Sequence, residues 1–318
     1  MTSLLKITKY VVRVLLLLLL FPLLNYDSSL NPDIGNYEIN YEKSKWSYDI
    51  GFEIVGALFR HVLDFSFEQY WISLLVIVCL LLAALYRNLF VFLLAYPNII
   101  FQATFLGTQI RFAIAILVFL NIVLLAGSAG KSKLTRLCGL AVAASMHFSI
   151  VFYYIFYRIY LLIVHKIKGF SVGVRFSLVA LVVSVAAVFG SYVIAFAFQV
   201  LAEDNYIGSA YFERKSFVST IYVLCIFCLM WLALKDYIRE SRNSANIHTI
   251  VLALFLAAFV IGSSSVALLS GRTLILLSFV EPIAIYALLR SESRFCMWLG
   301  VVYLMIYLSK NLLGIIYA

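Results

Sequence analysis

Charged side chains are scarce in this sequence, and their scarcity excludes an ordinary soluble fold. Asp, Glu, Lys and Arg make up 12% of the 318 residues, whereas hydrophobic residues make up 64%. Soluble domains usually carry about 25% charged residues. Acidic residues are rarest, 15 against 24 basic ones, which gives a net charge of +9. Because the basic residues cluster between apolar runs, this charge indicates positive-inside loops rather than a nucleic-acid partner.

Motifs of soluble catalysis are also missing. The sequence has no Walker motif, no G-x-S-x-G and no D-x-D of the metal-dependent cytoplasmic glycosyltransferases. Its five cysteines lie in or beside apolar runs, and the single C-x-x-C, Cys225 to Cys228, has no second pair or flanking histidines. Buried thiols in a helix bundle act as small hydrophobic side chains. We therefore expect no disulfide framework, no metal and no cofactor.

Apolar runs long enough to cross a bilayer recur from end to end. A membrane-spanning helix needs about 17–25 mostly apolar residues, and continuous rather than alternating runs favour helices over a barrel. We predict an all-α, polytopic transmembrane bundle of about 10–11 helices, forming a single integral membrane domain over residues 1–318. The predicted helices are 8–24, 69–86, 88–106, 109–126, 134–148, 149–164, 174–198, 217–234, 248–269, 273–289 and 295–309.

Basic residues set the predicted orientation of these helices. Three of them, Lys6, Lys9 and Arg13, precede the apolar run 14–24 of the first helix, 8–24. We expect this helix to be uncleaved with its N-terminus in the cytoplasm. The stretch 137–164 is too long for one ordinary span and short for two. A hairpin of two short helices satisfies the charge rule, whereas one long tilted helix violates it. The hairpin places His147 at an outer turn, and Pro97 is predicted to kink the helix that contains it.

Two polar stretches are predicted to lie outside the membrane. The longer one, 25–68, holds eight of the fifteen acidic residues, and the shorter one is 199–216. Within the first, residues 50–63 place Ile50, Ile54 and Leu58 on one helical face. That pattern predicts a short interfacial helix lying on the membrane.

Polar residues converge on the predicted outer face. An arginine or histidine at the end of an apolar run is costly in a bilayer unless it lines a polar cavity. Arg111 can bind a diphosphate through its planar guanidinium, or it can snorkel to the headgroups. His147 is either a base or phosphate contact, or a satisfied core histidine. The residues placed on this face are Asp33, Tyr37, Tyr41, Asp49, Glu53, Gln109, Arg111, His147, Tyr206, Arg214 and Arg272.

Three charged residues have a structural alternative. Arg272 is a site residue or an ordinary helix-end anchor, and Glu53 is a site residue or part of a solvated helix face. Glu281, beside Pro282, lies well inside an apolar run, where acids need a partner. In a transporter it would be a proton or ion site. In the structural interpretation, which we favour, it pairs with an arginine or with a backbone donor freed by Pro282.

Several of these residues occur in one order over most of the chain. They are Asp33, Tyr37, Tyr41 and Asp49-Ile-Gly-Phe-Glu53, then Gln109-x-Arg111 opening a helix, His147 after a run of small residues, and Arg272. This ordered set resembles the EpsG-like branch of the Wzy-type polysaccharide polymerases. It departs from the longer O-antigen polymerases, which carry two large outer loops, because only 25–68 is sizeable here.

The resemblance implies an inverting, metal-independent membrane glycosyltransferase, similar to the GT-C type, in the bacterial inner membrane with its active face periplasmic. Such enzymes move the growing chain from undecaprenyl diphosphate to the non-reducing end of a new lipid-linked unit. The implied partners are undecaprenyl-diphosphate-linked oligosaccharides and membrane lipids, with a chain-length regulator as a further candidate. The implied roles are diphosphate binding by Arg111 and Arg272, catalysis by Glu53 or His147, and substrate contact by Asp33, Tyr37, Tyr41, Asp49, Gln109, Tyr206 and Arg214.

Two other functions share parts of this pattern. A flippase or transporter of lipid-linked oligosaccharides needs a charged path to both faces, but few charged residues lie within the helices. An O-antigen ligase uses the same donor and hands the chain to lipid A core, and the short length and motif order favour the polymerase. A membrane protein without activity is the remaining alternative. The sugars and the linkage stay open.

Overall fold

The structure, a computed structural model, consists of helices joined by short turns in the part of the chain that it describes. Within the described residues there is no strand, so the predicted all-α fold is confirmed. The chain divides into two compact units, 1–153 and 154–318. The described residues are 31, 33–126, 133–166, 217–240, 244–264 and 267–313, with isolated positions between 7 and 17 and between 171 and 188.

The first unit begins with two short helices and continues with longer apolar ones. Ser66 and Gln69 form a capping box that satisfies backbone N–H groups at the start of α3. Helix α3 packs against α6, which also packs against α7, and α2 packs against α7. The helices are α1 (Ile34–Lys43), α2 (Ile50–His61), α3 (Phe67–Leu85), α4 (Leu89–Phe101), α5 (Ala103–Thr108), α6 (Ile110–Ala126), α7 (Lys133–Met146) and the start of α8 (Ser149–Lys166).

The second unit contains the rest of α8 and four long helices. Helix α10 packs against α9 and α11, and α12 packs against α9 and α11. Every side chain of α10 from Ile250 to Val260 is buried, as expected for a helix that is apolar all round. The helices are α9 (Phe217–Glu240), α10 (Ser244–Gly262), α11 (Ala267–Leu289) and α12 (Arg294–Leu313).

Four described segments are long and apolar enough to cross a membrane. Shorter apolar helices of 10–17 residues accompany them. Together they support the predicted polytopic bundle, and we treat the chain as a membrane protein. The four segments are Phe67–Leu85, Ser219–Asp236, Ser270–Leu289 and Arg294–Leu312.

The prediction that 137–164 forms two helices rather than one is confirmed. Helices α7 and α8 are separated only by His147 and Phe148, so the helical path breaks at the histidine. The short helix predicted near residue 50 is also confirmed as α2. Its outward side chains Ile50, Ile54 and Leu58 are exposed, while residues 51–53 of its first turn are buried.

Two predicted boundaries are wrong. The single helix at 88–106 is two helices, because the chain breaks at Gln102, one turn after Pro97 has removed a backbone donor. The helix predicted to run to 269 ends at Gly262, and α11 begins at Ala267. Arg272 therefore lies inside the first two turns of α11 rather than at a loop.

Helix α1 was missed, because its polar composition gave no apolar run. Most of the helices predicted at 8–24 and 174–198, and the loop 199–216, lie outside the described residues.

Candidate functional site

Arg111 lies at the start of α6 and makes a salt bridge with Asp49, which immediately precedes α2. Arg111 Nη1 lies 2.8 Å from Asp49 Oδ2, and the two side chains are only 20% and 21% exposed. Arg111 Nε also donates a hydrogen bond to the Tyr37 hydroxyl at 3.3 Å. Arg111 is thus held by two helices and a loop of the first unit, instead of extending alone toward a membrane surface.

Aromatic rings surround the Arg111 guanidinium. Its central carbon lies 4.1 Å from the ring centroid of Tyr48, 5.6 Å from that of Tyr37 and 5.7 Å from that of Phe52. All three rings are within the range of a cation–π interaction with the guanidinium. Such an interaction is stronger where water is excluded. Burial, with a smaller contribution from the neighbouring Tyr37, raises the pKa of Tyr48 to about 12, while Arg111 opposes the shift. Tyr48 therefore stays neutral at physiological pH.

Asp49 connects Arg111 to the turn that carries His147. Its Oδ2 binds Arg111, while its Oδ1 accepts the backbone N–H of Phe148 at 3.1 Å. Asp49 occupies the N-cap position of α2, yet its carboxylate caps no N–H of that helix. One carboxylate thus fixes three segments that are far apart in sequence.

His147 lies in the turn between α7 and α8 and is partly buried. Its ring packs against Phe112, with 4.9 Å between centroids. Its Nδ1 accepts the backbone N–H of Ser149 at 3.3 Å and lies 2.8 Å from the Ser149 hydroxyl. Since Nδ1 is an acceptor, the neutral ring carries its proton on Nε2. In this tautomer His147 offers a hydrogen-bond donor, not a base, at Nε2.

Glu53 is buried in the first turn of α2, with 7% of its surface exposed. Asn40 Nδ2 donates to both carboxylate oxygens at 3.0 and 3.1 Å, and the backbone N–H of Tyr48 donates to Oε1 at 2.8 Å. These donors hold the carboxylate in place at the start of α2. The carboxylate can still accept further hydrogen bonds, because it has about four acceptor positions.

Three further predicted residues lie in the same unit. Tyr41 is buried, and its hydroxyl donates to the Phe65 carbonyl at 2.8 Å. Burial raises its pKa, and Arg60 opposes that shift. Gln109 links α5 to α6, and its buried Oε1 has no hydrogen-bond partner among the described residues. Asp33 is exposed just before α1.

The other predicted site residues are not joined to this cluster by a described contact. Arg272 is partly buried in α11 of the second unit, and its role in diphosphate binding stays a prediction. Tyr206 and Arg214 lie outside the described residues.

Glu281 is buried in α11 but pairs with a lysine, not with the arginine or backbone donor that we expected. Its Oε2 lies 2.6 Å from Lys310 Nζ, and the two side chains are 1% and 2% exposed. The hydroxyls of Tyr222 and Tyr303 donate to Oε1. This arrangement supports the structural interpretation of Glu281, because its charge is neutralised within the unit.

Several residues around Arg111 and Glu53 were not predicted. Tyr48 and Phe52 wall the guanidinium, and Asn40 holds the Glu53 carboxylate. The sequence could have indicated two of them. Tyr48 immediately precedes Asp49, and Phe52 lies in the first turn of the short helix predicted after it. Asn40 lies on α1, a helix that the sequence analysis missed.

The cluster has the chemistry of an anion-binding site. Arg111 uses two of its five N–H donors on Asp49 and Tyr37, which leaves three without a partner among the described residues. Its planar fork suits phosphate oxygens. Among those residues, no group of three or more His, Cys, Asp or Glu side chains is arranged to hold a metal ion.

One known protein family matches almost the whole chain. The family model described as the EpsG family matches residues 9–316, which include every residue of the cluster. No curated protein and no solved structure matches the chain. A match of this length shows the family, and the chain belongs to the EpsG family.

Proposed function

We propose that this protein is a polysaccharide polymerase that joins undecaprenyl-diphosphate-linked oligosaccharide units at the periplasmic face of the bacterial inner membrane. Membership of the EpsG family indicates a polymerase-like membrane glycosyltransferase in general terms. The observation that carries the finer proposal is the Arg111 cluster. It contains a largely buried guanidinium, three of whose donors have no partner among the described residues, with aromatic walls and the His147 turn beside it.

In the proposed reaction, a hydroxyl oxygen of the acceptor sugar attacks the anomeric carbon of the donor. The bond from that carbon to the phosphate oxygen breaks, and undecaprenyl diphosphate leaves with the bonding electrons. Attack from the opposite face inverts the anomeric centre. The proton of the attacking hydroxyl passes to a base, and no metal takes part.

Arg111 stabilises the charge that develops on the departing diphosphate. Its remaining N–H donors point to this role, because preorganised donors in a partly desolvated site stabilise such charge strongly. His147 contributes a further donor through Nε2, and Glu53 is the better candidate for the base. Arg272 is proposed as a second diphosphate ligand.

The polysaccharide ladder on a gel tests this proposal. A deletion strain is complemented with the native chain, Arg111→Ala, Arg111→Lys or Arg87→Ala. Arg87 is the matched control, since it is exposed just after α3 and, within the described part of the chain, donates only to the Ala84 carbonyl. We expect Arg111→Ala to lower polymer yield about 100-fold or more at equal protein level, the usual effect of losing one such donor. Arg87→Ala should restore the full ladder.

The deletion strain itself separates the alternatives. If single repeat units accumulate on their acceptor, the chain is a polymerase. If even the single unit is missing, a ligase or a flippase replaces our proposal. A full ladder from an expressed Arg111→Ala variant would leave the family intact and remove Arg111 from the site.

Exchange of His147 for glutamine tests its role separately. Glutamine keeps an N–H donor but cannot act as a base. Retained polymer length with His147→Gln, and its loss with His147→Ala, is the result expected of a donor.

A further inference from the structure

A small polar cavity lies between α1, α2 and α3, beside the Glu53 carboxylate. Its volume is about 20 Å3, and it is only partly enclosed by the protein. A cavity needs about 10–15 Å3 to hold one water molecule, and the water needs two to four polar partners there. The cavity therefore has the size of a single-water site. Asn40, Glu53, Gly56 and Tyr70 belong to its lining.

Two buried polar atoms of this lining have no hydrogen-bond partner among the described residues. Asn40 and Tyr70 are 7% and 1% exposed, and the two atoms are Asn40 Oδ1 and the Tyr70 hydroxyl oxygen. Natural structures keep few unpaired buried polar groups, and ordered water is a common partner for them. The two atoms thus point to a ligand of water size.

Glu53 offers a third partner to such a ligand. Its two oxygens receive three hydrogen bonds, two from Asn40 Nδ2 and one from the backbone N–H of Tyr48. A carboxylate has about four acceptor positions, so at least one is left. One water can donate to this position and to Asn40 Oδ1, and can accept from the Tyr70 hydroxyl. Three hydrogen bonds are the usual number for a buried water.

The charges of the lining favour a neutral occupant over an ion. Glu53 and Arg60 line the cavity together. An anion would be repelled by the carboxylate, and a metal cation would be repelled by the guanidinium. A water molecule meets neither repulsion.

We propose that this cavity binds one water molecule, and that this water carries protons from Glu53 to the solvent. The role of Glu53 as the base rests on the proposed polymerase function, whereas the water site itself does not. After Glu53 has taken the proton of the acceptor hydroxyl, its carboxyl O–H bond breaks and the proton passes to a lone pair of the water. The water then releases one of its protons to the solvent. Glu53 is again a carboxylate and the water is again neutral.

Gly56 allows the water to be displaced without disturbing its partners. A Cβ at this position would lie 3.7 Å from the Tyr70 hydroxyl oxygen and 3.8 Å from a ring carbon of Tyr41, so alanine fits. Its methyl group is about as large as a water molecule and would replace it. Serine at the same position brings a hydroxyl that can donate and accept in place of the water. Gly35, on α1, is the control, because a Cβ there would have nothing within 4 Å.

Melting temperatures of the full chain in lipid nanodiscs test the water site. Gly35→Ala should raise the melting temperature slightly, because alanine favours a helix more than glycine does. Gly56→Ala should instead lower it by about 2–4 °C, since two buried polar atoms lose their partner. Gly56→Ser should recover most of that loss. If Gly56→Ala raised the melting temperature as Gly35→Ala does, the water site would be overturned.

The effect of Tyr70→Phe should change sign with the water. In the native chain the hydroxyl is paired, so its removal should lower the melting temperature. In Gly56→Ala the hydroxyl is unpaired, so its removal should raise the melting temperature. The same sign in both backgrounds would also overturn the water site.

The rate of polymer formation in membrane vesicles tests the proton transfer. Gly56→Ala should lower this rate about tenfold or more at equal protein level, because a positioned proton carrier is lost. Gly56→Ser should keep most of the rate, and Gly35→Ala should keep all of it. A native rate in Gly56→Ala would overturn the proton transfer. A native chain that forms no polymer overturns the polymerase and the role of the water with it, whereas the water site is decided by melting alone.

Discussion

The salt bridge between Arg111 and Asp49 should contribute measurably to stability, apart from any role in catalysis. Exposed pairs contribute about 0–1 kcal/mol, whereas breaking a fully buried pair costs about 3–5 kcal/mol. This pair is about four-fifths buried. We therefore expect Arg111→Ala to lower the free energy of unfolding by about 2–3 kcal/mol.

Other substitutions at Arg111 and Asp49 should separate the contributions of the individual contacts to the free energy of unfolding. Arg111→Lys keeps the charge but loses the bond to Tyr37 and the flat contact with Tyr48, a loss of about 1–2 kcal/mol. Asp49→Asn weakens the pair but keeps an oxygen for the backbone N–H of Phe148. Asp49→Ala loses both contacts and should be about 1 kcal/mol less stable than Asp49→Asn.

The assay is reversible unfolding of the purified chain in mixed micelles with rising SDS content, followed by circular dichroism. The double variant Asp49→Ala with Arg111→Ala completes a mutant cycle. Contacting charged partners should show a coupling of about 1–3 kcal/mol, whereas independent sites add within about 0.5 kcal/mol. Additive losses would refute the pair as a unit, and with it the idea that Asp49 positions Arg111.

Three further predictions concern stability alone. Lys310→Met should destabilise the chain by about 3–5 kcal/mol, since it leaves the buried Glu281 carboxylate without its cation. Adding Glu281→Leu to this variant should recover most of the lost stability, measured by the same SDS titration. Gly51→Ala should lower the melting temperature, because its Cβ would lie 2.2 Å from Ser145 Oγ and 2.8 Å from the Ser145 backbone carbon; an unchanged melting temperature would contradict the close approach of α2 to α7. Burial raises the pKa of Tyr48 to about 12 from 10.0, so its contribution to stability is complete below pH 10 and is lost as the pH rises through 12. Thermal melts at pH 9–12 should accordingly show a steeper decline for the native chain than for Tyr48→Phe.

The sequence predicted the long helices well, because an apolar run of sufficient length must form hydrogen bonds within itself in a bilayer. It also predicted that the turn after α7 falls at His147, because the charge rule excluded a single long span. The break at Gln102 was missed. A proline removes one donor, but whether the helix bends or ends there depends on the packing around it.

Contacts between distant residues were the part that sequence could not supply. Asp49 and Arg111 were placed on one face by topology, yet their pairing depends on how α2 packs near α6. Lys310 directly follows the last predicted helix, 295–309, and only the packing of α12 on α11 brings it to Glu281. Helix α1 repeats its buried residues Tyr37, Asn40 and Tyr41 at helical spacing, a signal that the surrounding charges hid.

Every described contact of the Arg111 cluster joins residues of the first unit, 1–153. Proteins fold from the N-terminus during synthesis, at about 5–20 residues per second. The ribosome thus needs about 10–30 seconds to make the second unit after the first has emerged. During that interval the nascent chain can already hold its anion-binding arginine in place. The order of synthesis therefore lets the Arg111 cluster assemble before the last four described helices exist.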